Sequence, residues 1–354
     1  MFYRENGQFK STYASDQQML PILQDRVFMA GLLVFAFGVV PFLASDYLFL
    51  SLLIPFLILA LAAIGLNLLV GYCGQISIGH AAFMAVGAYA AYNLALRIPQ
   101  LNFLVVLVLA GLIAAAVGML FGIPSLRIKG LYLAVATLAA QFFTDWLFAR
   151  VKWFTNYAHS GSVSTAPIDL FGWRIDTPVE KYIFLLGLLI VFTLVAKNLV
   201  RSRIGRAWMA MRDMDVAAEV IGIRPVYAKL TAFAVSSFYV GVAGALWGFV
   251  HLGSWEPLAF NLTVSLNLLF MIIIGGMGSL LGSYFGAAFI VVLPILLNQL
   301  PALLGVPIST AMASHLEFMI FGALIVLFLI VEPNGLARLW AIGKEKLRLW
   351  PFPH

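Results

Sequence analysis

The side chains able to do chemistry in this chain are few. The densest set is Asn67, Gly74, Gln75, Ser77, Gly79 and His80, which sit inside Gly65-Leu-Asn-Leu-Leu-Val-Gly-Tyr-Cys-Gly-Gln-Ile-Ser-Ile-Gly-His-Ala-Ala-Phe-Met-Ala-Val-Gly-Ala-Tyr89, between two apolar runs. Amide, hydroxyl and imidazole groups of this kind hydrogen-bond a small polar solute or one another. No Ser-His-Asp, metal-ligand or paired-carboxylate constellation accompanies them, so the set is not read as a catalytic centre. In hydrocarbon an unsatisfied backbone group is costly, and a Gly-rich polar interruption is tolerated only where it is buried in protein or lines a wet cavity. A second interruption, Ile274-Gly-Gly-Met-Gly-Ser-Leu-Leu-Gly282, contributes Gly275, Gly276, Gly278 and Ser279. Its Gly276-x-Gly278-x-x-x-Gly282 spacing is one residue too long for a dinucleotide fingerprint, and no strand-helix unit surrounds it. Half-helix N-termini at such breaks present free N–H groups and partial positive charge, suited to a carboxylate. Both interruptions are therefore expected to line a substrate path. His80 has two readings: contact with the solute, or the commoner use of such a histidine, closing a turn by bonding neighbouring backbone.

The elements that must position these residues are membrane helices. The chain is 63% hydrophobic and 10% charged, with a mean hydropathy of +1.01, whereas a soluble domain carries roughly a quarter charged residues. Apolar runs near the length needed to cross about 30 Å of hydrocarbon recur throughout. The expected fold is all-α and polytopic, with ten spans at 28–43, 48–70, 81–96, 103–122, 131–148, 182–200, 230–252, 262–274, 281–300 and 316–331. Lys and Arg concentrate on one set of loops, which identifies the cytoplasmic side. With the N-terminus inside, the outer positions hold only Arg97, Arg150, Lys152, Arg174 and Lys181. That imbalance supports an even span count, both termini in the cytoplasm, and a net charge of +6 that reflects topology rather than nucleic-acid binding. Residues 1–25 lack the pattern of a signal peptide and read as a cytoplasmic extension, 26–335 as the transmembrane domain and 336–354 as a cytoplasmic tail. The single cysteine, Cys73, excludes an internal disulfide, and neither metal nor cofactor is expected.

Two connections stand out. The external one, 149–181, carries Trp153, Trp173, Pro167, Pro178 and the small polar run His159-Ser-Gly-Ser-Val-Ser-Thr-Ala166, and reads as a structured loop. The internal one, 201–229, contains Arg212-Asp-Met-Asp-Val-Ala-Ala-Glu-Val-Ile-Gly222, preceded by Arg201, Arg203 and Arg206. Early acids, Ala-rich turns and Gly222 before Pro225 predict one helix over 212–222. It is either an interfacial amphipathic helix with snorkelling arginines or a docking helix for a cytoplasmic partner. No Gly-x-x-x-x-Gly-Lys-Ser/Thr loop exists to supply an engine within the chain. Gly118-x-x-x-Gly122, Gly244-x-x-x-Gly248 and Gly282-x-x-x-Gly286 are expected to let helices approach closely.

Gly71-Tyr-Cys-Gly-Gln-Ile-Ser-Ile-Gly-His-Ala-Ala-Phe83 with Gly87-Ala-Tyr89, Gly130-Leu-Tyr-Leu-Ala-Val-Ala-Thr-Leu138, Ala217-Ala-Glu-x-x-Gly222, and Gly275-Gly-Met-Gly-Ser279 with Gly286-Ala287 occur in that order. Together they resemble the LivM-type permease of branched-chain amino-acid ABC importers, over about 50–335. The resemblance implies a non-catalytic permease subunit in a prokaryotic cytoplasmic membrane. It would share its path with a LivH-type permease and be served by two ABC ATPase subunits and a periplasmic substrate-binding protein. It also implies that Arg212, Asp213, Asp215, Ala217, Ala218, Glu219 and Gly222 form the coupling helix seated on an ATPase. Three stretches depart from the family pattern. Asp213-Met-Asp215 stands for a Glu-Asn-Glu-like run, no acid sits beside Gln141, and Ser160-Gly-Ser-Val-Ser-Thr-Ala-Pro167 stands for Thr-Gly-Gly-x-x-Gly. The latter two fall where solute would enter, so the cargo stays open among branched-chain amino acids, urea, short amides and aromatic or other carboxylates. A secondary transporter or channel is the alternative reading, against which stands the lack of intramembrane acids suited to ion coupling.

Overall fold

The computed structural model describes residues 12, 23–126, 130–158, 161–165, 167–170, 172–304, 310–331 and 335–349. Most of the N-terminal extension, and His159, Ser160 and Ala166 of the external loop, lie outside them.

Each of the ten expected spans is a helix. Helix α1 runs Leu23–Val34 and continues through a π turn, Phe35–Val39, into Val40–Leu43. Helix α2 follows from Asp46–Leu48 through Phe49–Leu53 and Ile54–Asn67 to a second π turn, Leu68–Tyr72. Then come α3 (His80–Arg97), α4 (Phe103–Gly122), α5 (Leu131–Arg150) and α6 (Pro178–Arg201). Two short helices, α7 (Arg203–Asp213) and α8 (Asp215–Val220), precede α9 (Pro225–Leu246, prolonged by a π turn to Leu252). The chain closes with α10 (Leu262–Gly275), α11 (Leu280–Leu304), α12 (Thr310–Val331) and α13 (Gly335–Leu349). Eight of these stretches are long and apolar enough to cross a membrane by themselves. Helix α3, carrying His80, Asn93 and Arg97, is less apolar, and in α12 the apolar stretch is Met319–Phe328.

Helix α9 is the hub, packed against α4, α3 and α2. Small residues make this possible in lipid, where close van der Waals approach rather than hydrophobic exclusion holds helices together. A Cβ on Gly87 would overlap the Gly241 carbonyl, and one on Gly244 the Met84 carbonyl. Gly111 lies 2.7 Å, measured from where its Cβ would be, from the ring of Phe238. By contrast α1 leaves most of its apolar side chains exposed, and the Tyr182 hydroxyl donates to its Ala36 carbonyl at 3.1 Å.

The external connection is structured by two small antiparallel pairs. β1 (Val163–Ser164) pairs with β4 (Ser254–Trp255), and β2 (Ile168–Leu170) with β3 (Trp173–Ile175). Trp255 is buried there, edge-on to Tyr89 and Tyr92 at 6.2 Å from each. At the opposite end of the bundle, Lys344 of α13 bonds Asp25 of α1 at 2.6 Å, so the start of α1 and α13 meet on one side, as an even number of crossings requires.

Candidate functional site

The first interruption is a genuine break. Helix α2 widens into its π turn and stops at Cys73, because Gly74 turns to φ +70°. The last bonds of α2 are Gly74 N–H to Val70 O at 3.1 Å and Gln75 N–H to Leu69 O at 3.2 Å. From there the chain is non-helical until Gly79 caps α3. Side chains from other helices take over the backbone groups that the missing ladder leaves free, as a polar interruption in an apolar bundle demands. Thr137 of α5 accepts from Ile78 N–H at 3.0 Å, and Ser265 of α10 accepts from Ala81 N–H at 2.8 Å. Ser265 in turn donates to Gln141 Oε1 at 3.0 Å, while Gln141 Nε2 donates to Phe260 O at 2.8 Å and to Asp145 Oδ1 at 2.9 Å. His80 is fully buried, with Nδ1 2.7 Å from Ser77 Oγ and Nε2 2.9 Å from Ser236 Oγ. One ring nitrogen donates and the other accepts, so a neutral imidazole is satisfied on both sides. Gly79 is pressed onto α5, where a Cβ would overlap the Thr137 carbonyl.

The break therefore has two faces. Ser77 and His80 point into the bundle, while Gly74, Gln75 and Ile76 reach its surface. Asn67 is buried immediately before the π turn and faces the second break.

That second break, between α10 and α11, is tighter. Gly276 has φ +119° and Gly278 φ +77°, conformations an L side chain rarely adopts. Asn67 pins it: its Nδ2 donates to Ser279 O at 2.8 Å and to Ser283 Oγ at 2.9 Å, and its Oδ1 accepts from Gly278 N–H at 2.9 Å. Gly275 abuts α11 so closely that a Cβ would overlap the Gly282 carbonyl. The start of α13 covers the same turn, since a Cβ on Gly335 would lie 2.6 Å from both Gly276 N and Ile274 O.

The 201–229 loop differs from the single helix expected over 212–222. Ser202 caps α7, its hydroxyl accepting from Ile204 N–H at 3.2 Å and Gly205 N–H at 3.5 Å, and α7 ends at Asp213. Met214 is extended, and α8 begins at Asp215. The acids explain the division: Asp213 sits at the negative end of α7 and does not favour its continuation, whereas Asp215 sits at the positive end of α8. Ile204, Trp208 and Met211 form the helical stripe that seats α7, and the Trp208 indole donates to Thr231 of α9 at 3.1 Å. Gly222, at φ +91°, stops α8 as the sequence pattern predicts.

Arg212 links this loop to both breaks. Its Nη1 donates to the Gly71 carbonyl at 3.0 Å, and its Nε to Asp213 Oδ1 at 2.9 Å. The Cα of Arg212 lies 3.2 Å from where a Gly74 Cβ would be, and its Nη1 3.1 Å from where a Gly278 Cβ would be. Helix α8 turns Ala218 inward and presents Val216, Ala217, Glu219, Val220 and Ile221 outward, with Val220 83% exposed. The residues that sequence reasoning passed over are the buried hydroxyls Thr137, Ser236, Ser265 and Ser283. They sit in apolar helices with no spacing to mark them, Ser236 beside Ser237 and Thr137 inside the Gly130–Leu138 stretch, where only the motif and not the hydroxyl stood out.

The family described as the branched-chain amino acid transport system / permease component matches residues 48–329, which include both breaks and the 201–229 loop. The chain is 31% identical over 344 residues to the high-affinity branched-chain amino acid transport system permease protein LivM of Escherichia coli (strain K12), covering 89% of this chain and 75% of that protein. It is also 31% identical over 306 residues to the protein of the same description from Salmonella typhimurium, covering 79% and 68%. A probable branched-chain amino acid transport permease protein LivM from Methanocaldococcus jannaschii is 23% identical over 319 residues, covering 78% and 89%. No solved structure matches the chain.

Proposed function

The chain belongs to the family of permease components of branched-chain amino acid transport systems, and on that premise we propose that it is one of two permease subunits of an ATP-driven importer for branched-chain amino acids or a related small carboxylate or amide. The other permease is LivH-type, two ABC ATPases dock in the cytoplasm, and a periplasmic binding protein delivers the solute on the other side. In this reading the membrane is the prokaryotic cytoplasmic membrane. Both termini and the 201–229 loop face the cytoplasm, in keeping with the basic residues gathered at that end. The subunit itself is non-catalytic.

The path runs along the surface of the first break, where Gly74 and Ile76 are exposed and Gln75 is half-buried, against the second permease. Asn67, Ser77, Gly79 and His80, with Gly275, Gly276, Gly278 and Ser279, hold the unwound backbone that forms its wall. Helix α8 seats on an ATPase through Ala217, Glu219 and Gly222 and their exposed apolar neighbours, while Asp213 and Asp215 frame the hinge between α7 and α8. Closure of the ATPases then moves α7. The observation that carries the proposal is the single side chain of Arg212, which reaches from α7 to the end of α2 and lies against the second break.

The test is reconstitution. The chain with its second permease, two ATPases and binding protein, in liposomes with ATP, should accumulate labelled leucine, isoleucine or valine. The chain alone, under an imposed proton or sodium gradient, should accumulate nothing. Saturable, gradient-driven uptake by the lone chain would replace this proposal with a secondary transporter.

A further inference from the structure

At the end of the bundle away from the termini, α3, α4 and α5 part to leave a cleft of about 500 Å³ with walls of carbon. It follows α3 from Val86 to Arg97, a rise of about 16 Å at 1.5 Å per residue. That is close to half of the ~30 Å hydrocarbon core, the depth of one leaflet. A helix, about 10 Å across with its side chains, does not fit such a space. Below the mouth the polar residues of the lining are Tyr89, Asn93 and Thr144, which turn almost no polar surface to the cleft, so a small zwitterion or carboxylate finds no charged group to pair with there. Asp145 of α5 is not part of the wall, being bonded to Gln141.

The mouth has the opposite character. The Arg97 guanidinium lies 3.6 Å above the Trp153 ring, and Arg150 and Lys152 stand exposed beside that tryptophan. Basic residues are scarce on this side, where Arg97, Arg150, Lys152, Arg174 and Lys181 are all that the loops carry, yet Arg97 lines the cleft and Arg150 and Lys152 flank its Trp153 in the chain. An interfacial tryptophan under an arginine is a headgroup-level arrangement.

We propose that the cleft holds one acyl chain of an anionic phospholipid of that leaflet, with the lipid phosphate on Arg97 and with Arg150 and Lys152 adding charge. The apolar length, the one-leaflet depth and the cationic mouth match an anionic lipid in its ordinary orientation. The proposal does not depend on which solute the subunit carries.

Native mass spectrometry of the assembled importer, extracted in mild detergent and titrated with phosphatidylglycerol or phosphatidylcholine, tests this directly. The wild type should retain phosphatidylglycerol at one copy per chain. Arg97→Gln should lower its preference over phosphatidylcholine by about fivefold, the factor expected from one interfacial cation, and Arg97→Lys should keep most of it. Ala90→Phe, which fills the cleft wall, should expel lipid of either headgroup from an importer that still elutes as the wild type does. Should that variant fail to assemble, bromine-labelled phosphatidylglycerol chains should quench a fluorescence component in the wild type that Trp153→Phe removes. Equal lipid preference in wild type and Arg97→Gln, absence of that quenching, or recovery of a small carboxylate instead of a lipid from the cleft would each overturn the proposal.

Discussion

The two breaks meet the same demand in different ways. Between α2 and α3 the chain runs seven residues, 73–79, with one glycine at positive φ, and hydroxyls on three other helices satisfy it. Between α10 and α11 it runs four residues, 276–279, with two glycines at positive φ, and one amide together with direct backbone packing satisfies it. Backbone against backbone has no slack, whereas a hydroxyl can rotate and exchange partners. The difference makes the second break a fixed seat, and the first one anchored on backbone at Gly79 but adjustable where hydroxyls hold it, with Arg212 touching both.

The largest effects should come where a side chain would enter backbone. Gly275→Ala places a methyl in the Gly282 carbonyl, and Gly79→Ala places one in the Thr137 carbonyl. Overpacking of this kind costs about 1–3 kcal/mol or more, and both variants should lose most of the assembled importer on size-exclusion chromatography. Gly118→Ala also meets a neighbour, but that neighbour is the Ser237 side chain, so it should assemble better than either. The sequence pattern alone sets Gly118 and Gly122 apart as packing glycines. The contacts show that they too are crowded, Gly122 lying 2.9 Å from the Phe233 ring by its Cβ position, so the contrast is one of backbone against side chain rather than of break against bundle.

Next is Arg212→Ala. A hydrogen bond from a charged donor contributes about 1.5–3 kcal/mol. If that bond transmits motion from α7 to α2, coupled uptake should fall by roughly tenfold or more. Assembly and basal ATPase activity should stay near wild type, and Arg212→Lys should recover part of the uptake. Unchanged binding-protein-stimulated ATPase activity in Arg212→Ala would remove Arg212 from the coupling route.

Asn67→Ala probes the fixed seat. It deletes three hydrogen bonds and leaves the half-buried Gly278 N–H without its partner, at up to about 1–3 kcal/mol for the orphaned group. The importer should assemble, with a Tm lower by roughly 2–4 °C for each kcal/mol lost, as in a domain of 150–250 residues, and with uptake reduced severalfold.

How much of this was legible depended on whether the signal was compositional. The 103–122 span coincides with α4, and the 81–96 span falls one residue short of α3 at each end, because apolar runs mark them directly. Helix α6 starts at Pro178, four residues before the expected 182, because the Thr177–Glu180 capping box and a first-turn proline extend it beyond its apolar run. The division of the 201–229 loop at Met214 was readable in principle from Ser202 and the Ile204, Trp208 and Met211 stripe, but the Ala-rich stretch after it drew the helix too far along the chain. The glycines of both breaks announced themselves by type. Their partners did not: Asn67 lies more than two hundred residues from Gly278, and His80 is 156 residues from Ser236, with nothing local to connect them.

The smallest effect bears most directly on the comparison. Ser236→Ala removes the hydroxyl at His80 Nε2 and leaves its bond to Ser77 intact. Leaving that buried nitrogen unpaired costs about 1–3 kcal/mol, against three bonds lost in Asn67→Ala, so the importer should assemble and uptake should fall less than in Asn67→Ala. Ser77→Ala alone should behave alike, while the double variant leaves the buried imidazole with neither partner. Its loss should exceed the sum of the two single losses by about 0.5–3 kcal/mol, as in a shared network. Thermal unfolding of the four proteins measures that excess. An adjustable break predicts mild single variants and a strongly non-additive double one. If Ser236→Ala by itself destabilised the importer as much as Asn67→Ala, the first break would be as fixed as the second, and the motion imparted by α7 would have to be taken up elsewhere in the bundle.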